Sequence, residues 1–400
     1  MAATAVTTSM AGAINYTYVT DTSADWASVP NNTYFYDKAD KLVHYKNSGG
    51  TVLEIFGAGG LTNFTEAQAT TSPNNTVYVD SLTAVGSTTD VDVAIVPKGT
   101  GAFMLAVPDG TATGGNKRGT NAVDLQTNRG VATGARVASG NGSFAAGVAN
   151  TASGSNSFAI GNLNSATNQS AGCIGDTNSA TQQYAYSFGA SNIASGTLGF
   201  CLGYGNTSSA WPSFTLGSSN VSSATGAVSI GDTNTADGSY SLALGRQSRA
   251  FGIYGRQTYA SGQEGLAGDS QTSKFILRER TTGNTATTLT SDSGAAAATN
   301  QVILSNQSAY RFKGTIVGKQ SGSTNAAVWD IDGFIVRGAN AAATTLNVSN
   351  VTLVQNTPAW GTPTLAADTT NGGLQVQVTG AAATNIQWTA VIETTEVIYA

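Results

Sequence analysis

Between residues 143 and 262 the pattern of apolar and polar positions repeats every 14 residues. Glycine marks the register at Gly147, Gly161, Gly175, Gly189, Gly203, Gly217, Gly231 and Gly245. Three residues before each glycine the chain is apolar in most copies, at Phe144, Phe158, Tyr186, Phe200, Phe214, Val228 and Leu242, with Gly172 the exception. One residue before it stand Ala146, Ile160, Ile174, Phe188, Leu202, Leu216, Ile230 and Leu244. Three residues after it stand Asn150, Asn164, Asn178, Asn192, Asn206, Asn220 and Asn234, then Ser248. Five after it, every copy has Ala or Ser, from Ala152 to Ala250.

These columns predict one small unit. Apolar residues two apart point to one side of a short strand. Glycine takes positive φ and asparagine tolerates the left-handed region, so Gly-x-x-Asn reads as a turn. The Ala or Ser two residues beyond Asn would point inward from a second short strand. A helix is excluded, because Gly and Asn at this frequency would break it. One coil cannot bury its own core, so coils must stack. At 4.7–4.9 Å per strand, eight coils make a rod about 38 Å long. The register decays where Tyr259 replaces the expected glycine and Gly255 appears instead. Arg246, Arg249 and Arg256 cluster there and read as a solvated or inter-subunit face.

Beyond the repeat the period changes to two. Tyr310, Phe312 and Ile316 alternate with Arg311, Lys313 and Thr315. Leu374, Val376 and Val378 alternate with Gln375, Gln377 and Thr379, and Ile386, Trp388, Ala390 and Ile392 form another inward face. Alternation between Gly/Asn/Thr turns predicts a β-sandwich or jelly roll over 301–400. Residues 266–300 read as a polar linker, 133–265 as the roll of coils, 90–132 as a connector, and 1–89 as small β elements such as Thr33–Asp37 and 51–56. The expected class is all-β.

Composition narrows the chemistry. The chain has 400 residues and a mass of 40.4 kDa, so its side chains are small on average. Gly is 48 of 400 without a G-X-Y period, which excludes collagen. Only 10% of residues are charged, which argues against charge-driven disorder. The net charge of −5 comes with no dense Lys/Arg stripe, so nucleic acid is not an expected ligand. No apolar run reaches the roughly 18 residues a membrane helix needs, and the N-terminus lacks a basic region and an apolar core of a signal peptide. Assembly in a host cytoplasm without membrane insertion is expected. Cys173 and Cys201 share one column two coils apart, about 9.5 Å, too far for a disulfide.

The repeat resembles the head repeats of YadA-like trimeric autotransporter adhesins. Ser-Phe-Ala-Ile-Gly at 157–161, Ser-Leu-Ala-Leu-Gly at 241–245 and the following Asn-x-Ala carry the resemblance, over about 143–262. It implies a left-handed parallel β-roll assembled as a homotrimer. An autotransporter would also need a signal peptide and a membrane barrel, and neither is evident. The flanking segments resemble bacteriophage tail fibres instead. At the C-terminal end these are 274–281, 310–314 leading to 328–333, and 367–374 leading to Trp388 and 393–396. Upstream, 96–101 and 109–126 resemble fibre shaft and collar sequence.

Candidate catalytic groups are sparse. His44 is the single histidine, so no Ser-His-Asp arrangement is visible. The glycine runs 57–60 and 114–115 are not followed by a Lys-Ser/Thr and helix, so they make no phosphate cradle. Asp176 and Asp232 share a column but lie four coils apart, about 19 Å, beyond a glycosidase pair at about 5–9.5 Å. Asp330 and Asp332 sit two apart on a predicted strand, about 6.6–6.8 Å. That spacing suits an inverting pair, part of a calcium site, or a solvated face opposite Trp329 and Ile331. Glu393 and Glu396 read as solvated. Trp329 and Trp388 read as core, Trp211 as a turn residue at a subunit contact, and Trp360, in a Pro/Gly-rich loop, as a candidate receptor contact.

The resulting expectation is a homotrimeric phage tail fibre or receptor-binding protein, a virion component without enzymatic activity, cofactor or bound metal. Its N-terminal region would join a tail or baseplate protein. Its terminal domain would bind a host-surface glycan or protein receptor at Trp360, Asp330 and Asp332 by multivalent adhesion. A bacterial adhesin passenger and a glycan-depolymerising tailspike are the alternatives.

Overall fold

A computed structural model of the chain describes residues 4–5, 18–20, 23–39, 42–54, 64–69, 79–85, 89–111, 114–129 and 135–399. Two compact units form, residues 1–96 and 97–400. In the first, strands Thr4–Ala5, Tyr18–Thr20, Thr33–Asp37, Leu42–Lys46 and Val52–Glu54 make one sheet, and Phe64–Ala69 pairs with Val79–Ala84. His44 is buried there, its ring 4.6 Å from that of Trp26 and 5.3 Å from that of Phe35, so it belongs to a small core. Residues 55–56 and the glycines 57–60 lie outside the described residues.

Among the described residues the second unit is all-β apart from one short 3-10 turn at Ala341–Ala343. The 14-residue period becomes a parallel β-solenoid of eight coils. Each has a longer strand, as in Phe158–Asn162, and seven have a two-residue strand, as in Ser165–Ala166. Register is kept from coil to coil: Phe158 pairs with Gly172, Gly161 with Gly175, Ala166 with Ala180.

The interior is made of small side chains. Ala145, Ala159, Cys173, Ser187, Cys201, Thr215, Ser229 and Ala243 come from the longer strands, and the Ala/Ser column from the short ones; all are buried. The large apolar columns point the other way. Phe158, Tyr186, Phe200 and Phe214 are only half-buried, Ile174 and Leu202 are exposed, and rings stack along the outside, with Phe200 and Phe214 at 5.3 Å. A shared side was readable from the period of two; which side it was could not be read.

The turn also differs from its expected form. The left-handed residue is the one before each Asn, as at Leu163 (φ 55°) and Ser191 (φ 57°). The asparagines are fully buried instead. Asn164 Nδ2 donates to Asn150 Oδ1 at 3.0 Å and to the carbonyls of Ile160 and Gly175 at 2.9 and 2.7 Å. Its Oδ1 accepts the backbone N–H of Asn178 at 3.1 Å. The arrangement recurs to Asn234. Glycine is required beside it: Gly189 has φ 113°, and a Cβ there would lie 2.0 Å from the Gly203 carbonyl oxygen.

Both ends of the ladder are closed by other polar groups, as stacked repeats require. At the start, Gln126 Oε1 accepts from Asn150 N at 2.6 Å, beside buried Asp124, which pairs with Arg118 at 2.6 Å and Arg129 at 3.4 Å. At the far end Ser248 Oγ donates to Asn234 Oδ1 at 2.8 Å. The expectation of a solvated Arg256 is corrected here. It is fully buried and pairs with buried Glu396, which also accepts from Gln271 Nε2 at 2.9 Å. Arg246 and Arg249 remain at the surface, paired with Asp232 and Asp237.

The longer-strand sheet does not stop at the last coil. Gln257–Ser261 adds in parallel to Leu242–Arg246. Ser270–Thr281 then pairs with it antiparallel, followed by Ile386–Ile398, Ser308–Gln320, Ala326–Arg337 and Thr344–Asn356 at the edge. Residues 266–300 are therefore not a linker, since they hold a 12-residue central strand of this sheet. A smaller sheet, centred on Gly373–Thr379, pairs that strand with Ala286–Thr288, Val302–Ile303 and Thr364–Asp368. The two sheets share one core containing Phe275, Leu277, Tyr310, Phe312, Trp329, Leu374, Val376, Val378 and Trp388. The alternating positions predicted to point inward do so.

Candidate functional site

The terminal domain turns its other face outward, and the pairing register fixes what appears there. One row crosses five strands: Lys274, Glu393, Lys313, Asp332 and Asn350 are successive cross-strand partners. Its charges alternate in sign. Lys313 Nζ lies 3.3 Å from Glu393, and Arg311 lies 3.3 Å from Asp332. Asn350 Nδ2 donates to Asp332 at 2.6 Å. The next row along the strands runs Ile276, Val391, Thr315, Asp330 and Thr352, where Thr315 Oγ1 donates to Asp330 at 2.8 Å. Opposite charges placed directly across strands support the register and hold the side chains in place.

Between these rows lies a pocket of about 450 Å³. Asp330, Asp332 and Glu393 bring acceptors to it, Lys313 and Asn350 bring donors, and Thr315 and Thr352 bring both. Val391 and Ile331 supply apolar surface. A ligand rich in hydroxyls matches such a mixture, because each hydroxyl donates once and accepts twice. The site rests on strands rather than loops, so its geometry is preset.

The predicted residues separate. Asp330 and Asp332 both line this pocket. Trp360 does not: its side chain is 6% exposed and its ring meets Trp388 edge-on at 5.4 Å. Asn356 clamps its backbone, donating to the Trp360 carbonyl at 2.7 Å and accepting from its N–H at 2.9 Å. A turn-rich loop with a tryptophan has here folded over the core, which removes Trp360 as an exposed contact. Trp329 and Trp388 are core residues, and Trp211 is exposed on the solenoid. Glu396, expected to be solvated, is the buried partner of Arg256, whereas Glu393 is at the surface. The repeat glycines and asparagines are structural and lie outside the pocket. Sequence reasoning missed Lys313, Asn350, Thr352 and Glu393 as site residues. Their alternation was visible, but not the pairing that gathers them.

Among the described residues no group of three or more His, Cys, Asp or Glu side chains is placed to hold a metal ion. Cys173 and Cys201 are free and buried, and their thiols donate to the Ser165 and Ile193 carbonyls at 3.3 Å. Burial pushes the Cys173 thiol up to about 12.

No family model matches the chain, and no curated protein sequence matches it. Among solved structures it is similar to a tailspike protein, gp49 from Acinetobacter baumannii bacteriophage Fri1, described as a capsular polysaccharide depolymerase. The identity is 8%, the TM-score 0.21, and the match covers 83% of this chain and 75% of that one. The protein matched is a depolymerase, which runs against the expectation of a protein without enzymatic activity, and that expectation is withdrawn. A TM-score of 0.21 transfers neither fold nor activity to this chain.

Proposed function

We propose that the chain is a phage receptor-binding tail protein whose terminal domain engages a host-surface saccharide at the pocket between Lys313, Asp330, Asp332, Asn350, Thr352 and Glu393. The observation that carries this reading is the set of mixed donors and acceptors held on one rigid sheet face. The resemblance of the flanking segments to tail-fibre sequence supports it. The solenoid acts as the spacer, the first unit joins a tail or baseplate protein, and the particle carries the chain in its tail.

The chain works as a homotrimer with a left-handed roll. The hand rests on the resemblance of the repeat, and the trimer is supported by the outward apolar face, from Phe144 to Leu244, which continues to exposed Tyr259. Leu105 and Val107 are exposed as well, in the connector before the first coil. A contiguous patch of this extent marks a protein contact, and two further copies of the same chain would cover it along its whole length. Three weak sites then act together.

A second reading has its own observation. Asp330 and Asp332 line the same pocket, two residues apart on one strand. Inverting hydrolysis needs one carboxyl to protonate the leaving oxygen and one to activate water across about 6.5–9.5 Å, which the strand spacing of about 6.6–6.8 Å reaches. The sites of attachment and cleavage would then coincide.

Fluorescently labelled full-length chain, applied to a panel of encapsulated bacteria and capsule-free derivatives, tests both. Binding that needs the surface polysaccharide and falls at least tenfold in Asn350→Ala/Thr352→Ala supports the site. Binding indifferent to both changes overturns it. Release of reducing ends by the wild type but not by Asp330→Asn or Asp332→Asn establishes cleavage there; no release from a polysaccharide that binds rules cleavage out.

A further inference from the structure

A second depression of about 530 Å³ lies on the same sheet face, further along the strands. Its lining contains Arg280 and Lys319 as charged groups and no carboxylate. Gln320, Ser321, Asn385, Gln387 and Thr389 add neutral donors, and Val317 and Ile386 supply apolar surface. Register again sets the geometry. Arg280 and Lys319 are both cross-strand partners of Gln387, so they flank it, about 9.4–9.8 Å apart at the backbone. Both side chains are long enough to close on one group above Gln387. Lys319 Nζ is held by the Gln320 carbonyl at 3.1 Å and by that of Ser323. Arg278, exposed, stands two residues from Arg280 on the same strand face.

The contrast with the first pocket is one of charge balance. There each cation has an acid: Lys313 has Glu393, and Arg311 has Asp332. Among the described residues no carboxylate makes an ion pair with Arg280 or Lys319. The two depressions adjoin, because Val391 and Thr315 of the first are followed two residues along their strands by Thr389 and Val317 of the second. From the Lys313–Glu393 row to the Lys319–Gln387 row is six residues, about 20 Å of strand. The face is thus one trough with an acid-containing end and a purely basic end.

We infer that this trough takes an extended acidic polysaccharide lying along the strands. Its hydroxyls occupy the Asp330/Asp332 end and an oxyanion substituent, carboxylate or phosphate, sits between Arg280 and Lys319. An arginine fork suits either oxyanion. This rests on the saccharide reading of the first pocket and names its ligand class.

Binding of the full-length chain to oligogalacturonate, a glycerol phosphate polymer and neutral dextran oligomers tests it. At least one anionic polymer binds tenfold or more tightly than dextran, and the preference shrinks as salt rises. Arg280→Gln/Lys319→Gln abolishes the preference while dextran binding and melting temperature stay as in the wild type. The anionic polymer that binds better identifies the substituent. Equal affinity for neutral and anionic polymers, or a preference that survives the double substitution, overturns the inference. Dextran binding that is lost in Asn350→Ala/Thr352→Ala would still leave the saccharide site standing. Failure to bind any of the three overturns the inference, and the capsule-panel result then decides the underlying reading.

Discussion

Asn192 Nδ2 donates to Asn178 Oδ1 at 3.0 Å, from one coil to the next, in the buried interior of the solenoid. It also donates to the carbonyls of Phe188 and Gly203, at 3.0 and 2.7 Å, and its Oδ1 accepts from Asn206. One amide therefore reaches four neighbours, with two N–H groups shared among three acceptors. Asn192→Ala removes the buried side-chain partner of the Phe188 and Gly203 carbonyls and of the Asn206 N–H, and should cost about 2–4 kcal/mol. Asn192→Asp keeps the shape but loses the donor, and should cost at least as much. Asn162→Ala at an exposed position should stay within about 0.5 kcal/mol. Denaturant midpoints of the three variants check this.

Gly189→Ala should be worse than any exposed substitution. The new Cβ meets the Gly203 carbonyl at 2.0 Å while the backbone stays at φ 113°. A loss above about 3 kcal/mol, or failure to fold, is expected. Circular dichroism and melting of the variant read it directly.

The Arg256–Glu396 pair links the last coil to the final strand, 140 residues apart in sequence. Both side chains are fully buried. Burial disfavours the arginine charge, yet the Glu396 carboxylate holds its pKa above the ordinary value. Glu396→Ala leaves a buried cation unpaired and should cost about 3–5 kcal/mol. Hydrogen exchange should show Ser270–Thr281 and Ile386–Ile398 losing protection together.

Asp269 gives a pH dependence of known sign. Burial opposes its charge, but backbone N–H groups of Gly265, Leu266 and Glu264 outweigh that and hold the carboxyl below its usual 3.8. A depressed folded-state value contributes stability above the unfolded value, and this is lost as pH falls through the folded one. Melting temperature should therefore fall below about pH 4, and Asp269→Asn should flatten that fall. Thermal melts from pH 6 to pH 2.5 compare the two.

If copies cover the outward apolar face, sedimentation of the full-length chain should give three times 40.4 kDa. Phe200→Glu/Phe214→Glu places charges at two stacked, half-buried rings of the outward face and should shift the mass toward one chain without unfolding the coil. A wild-type monomer at micromolar concentration would sink the trimer.

Much of this architecture was legible. The columns before and after each glycine gave the coil and its register, and alternation around Phe312, Val376 and Trp388 gave the inward faces. Three things were not legible, each for a physical reason. A period of two assigns residues to a common side, not to the inside, so the outward Phe and Ile columns were undetermined. Asparagine serves turns and ladders alike, and only the stack shows which, so the left-handed role fell to Leu163 and its equivalents. The pocket needs Lys313 beside Glu393 and Asp332 beside Asn350, and strand order within a sheet is not written in any one strand. Trp360 shows the reverse error: loop composition suggested exposure, while packing on Trp388 decided burial.

The unbroken sheet from the coils into the terminal domain carries a mechanical consequence. With Gln257–Ser261 paired on both edges, there is no pivot between shaft and head. The terminal domain's heading is therefore set by the twist accumulated along the coils. Under the proposed function, adjustment comes from the other side of the contact. If the terminal domain binds the proposed saccharide, such a device suits a pliant, crowded brush of polymer better than a sparse field of stiff, fixed receptors.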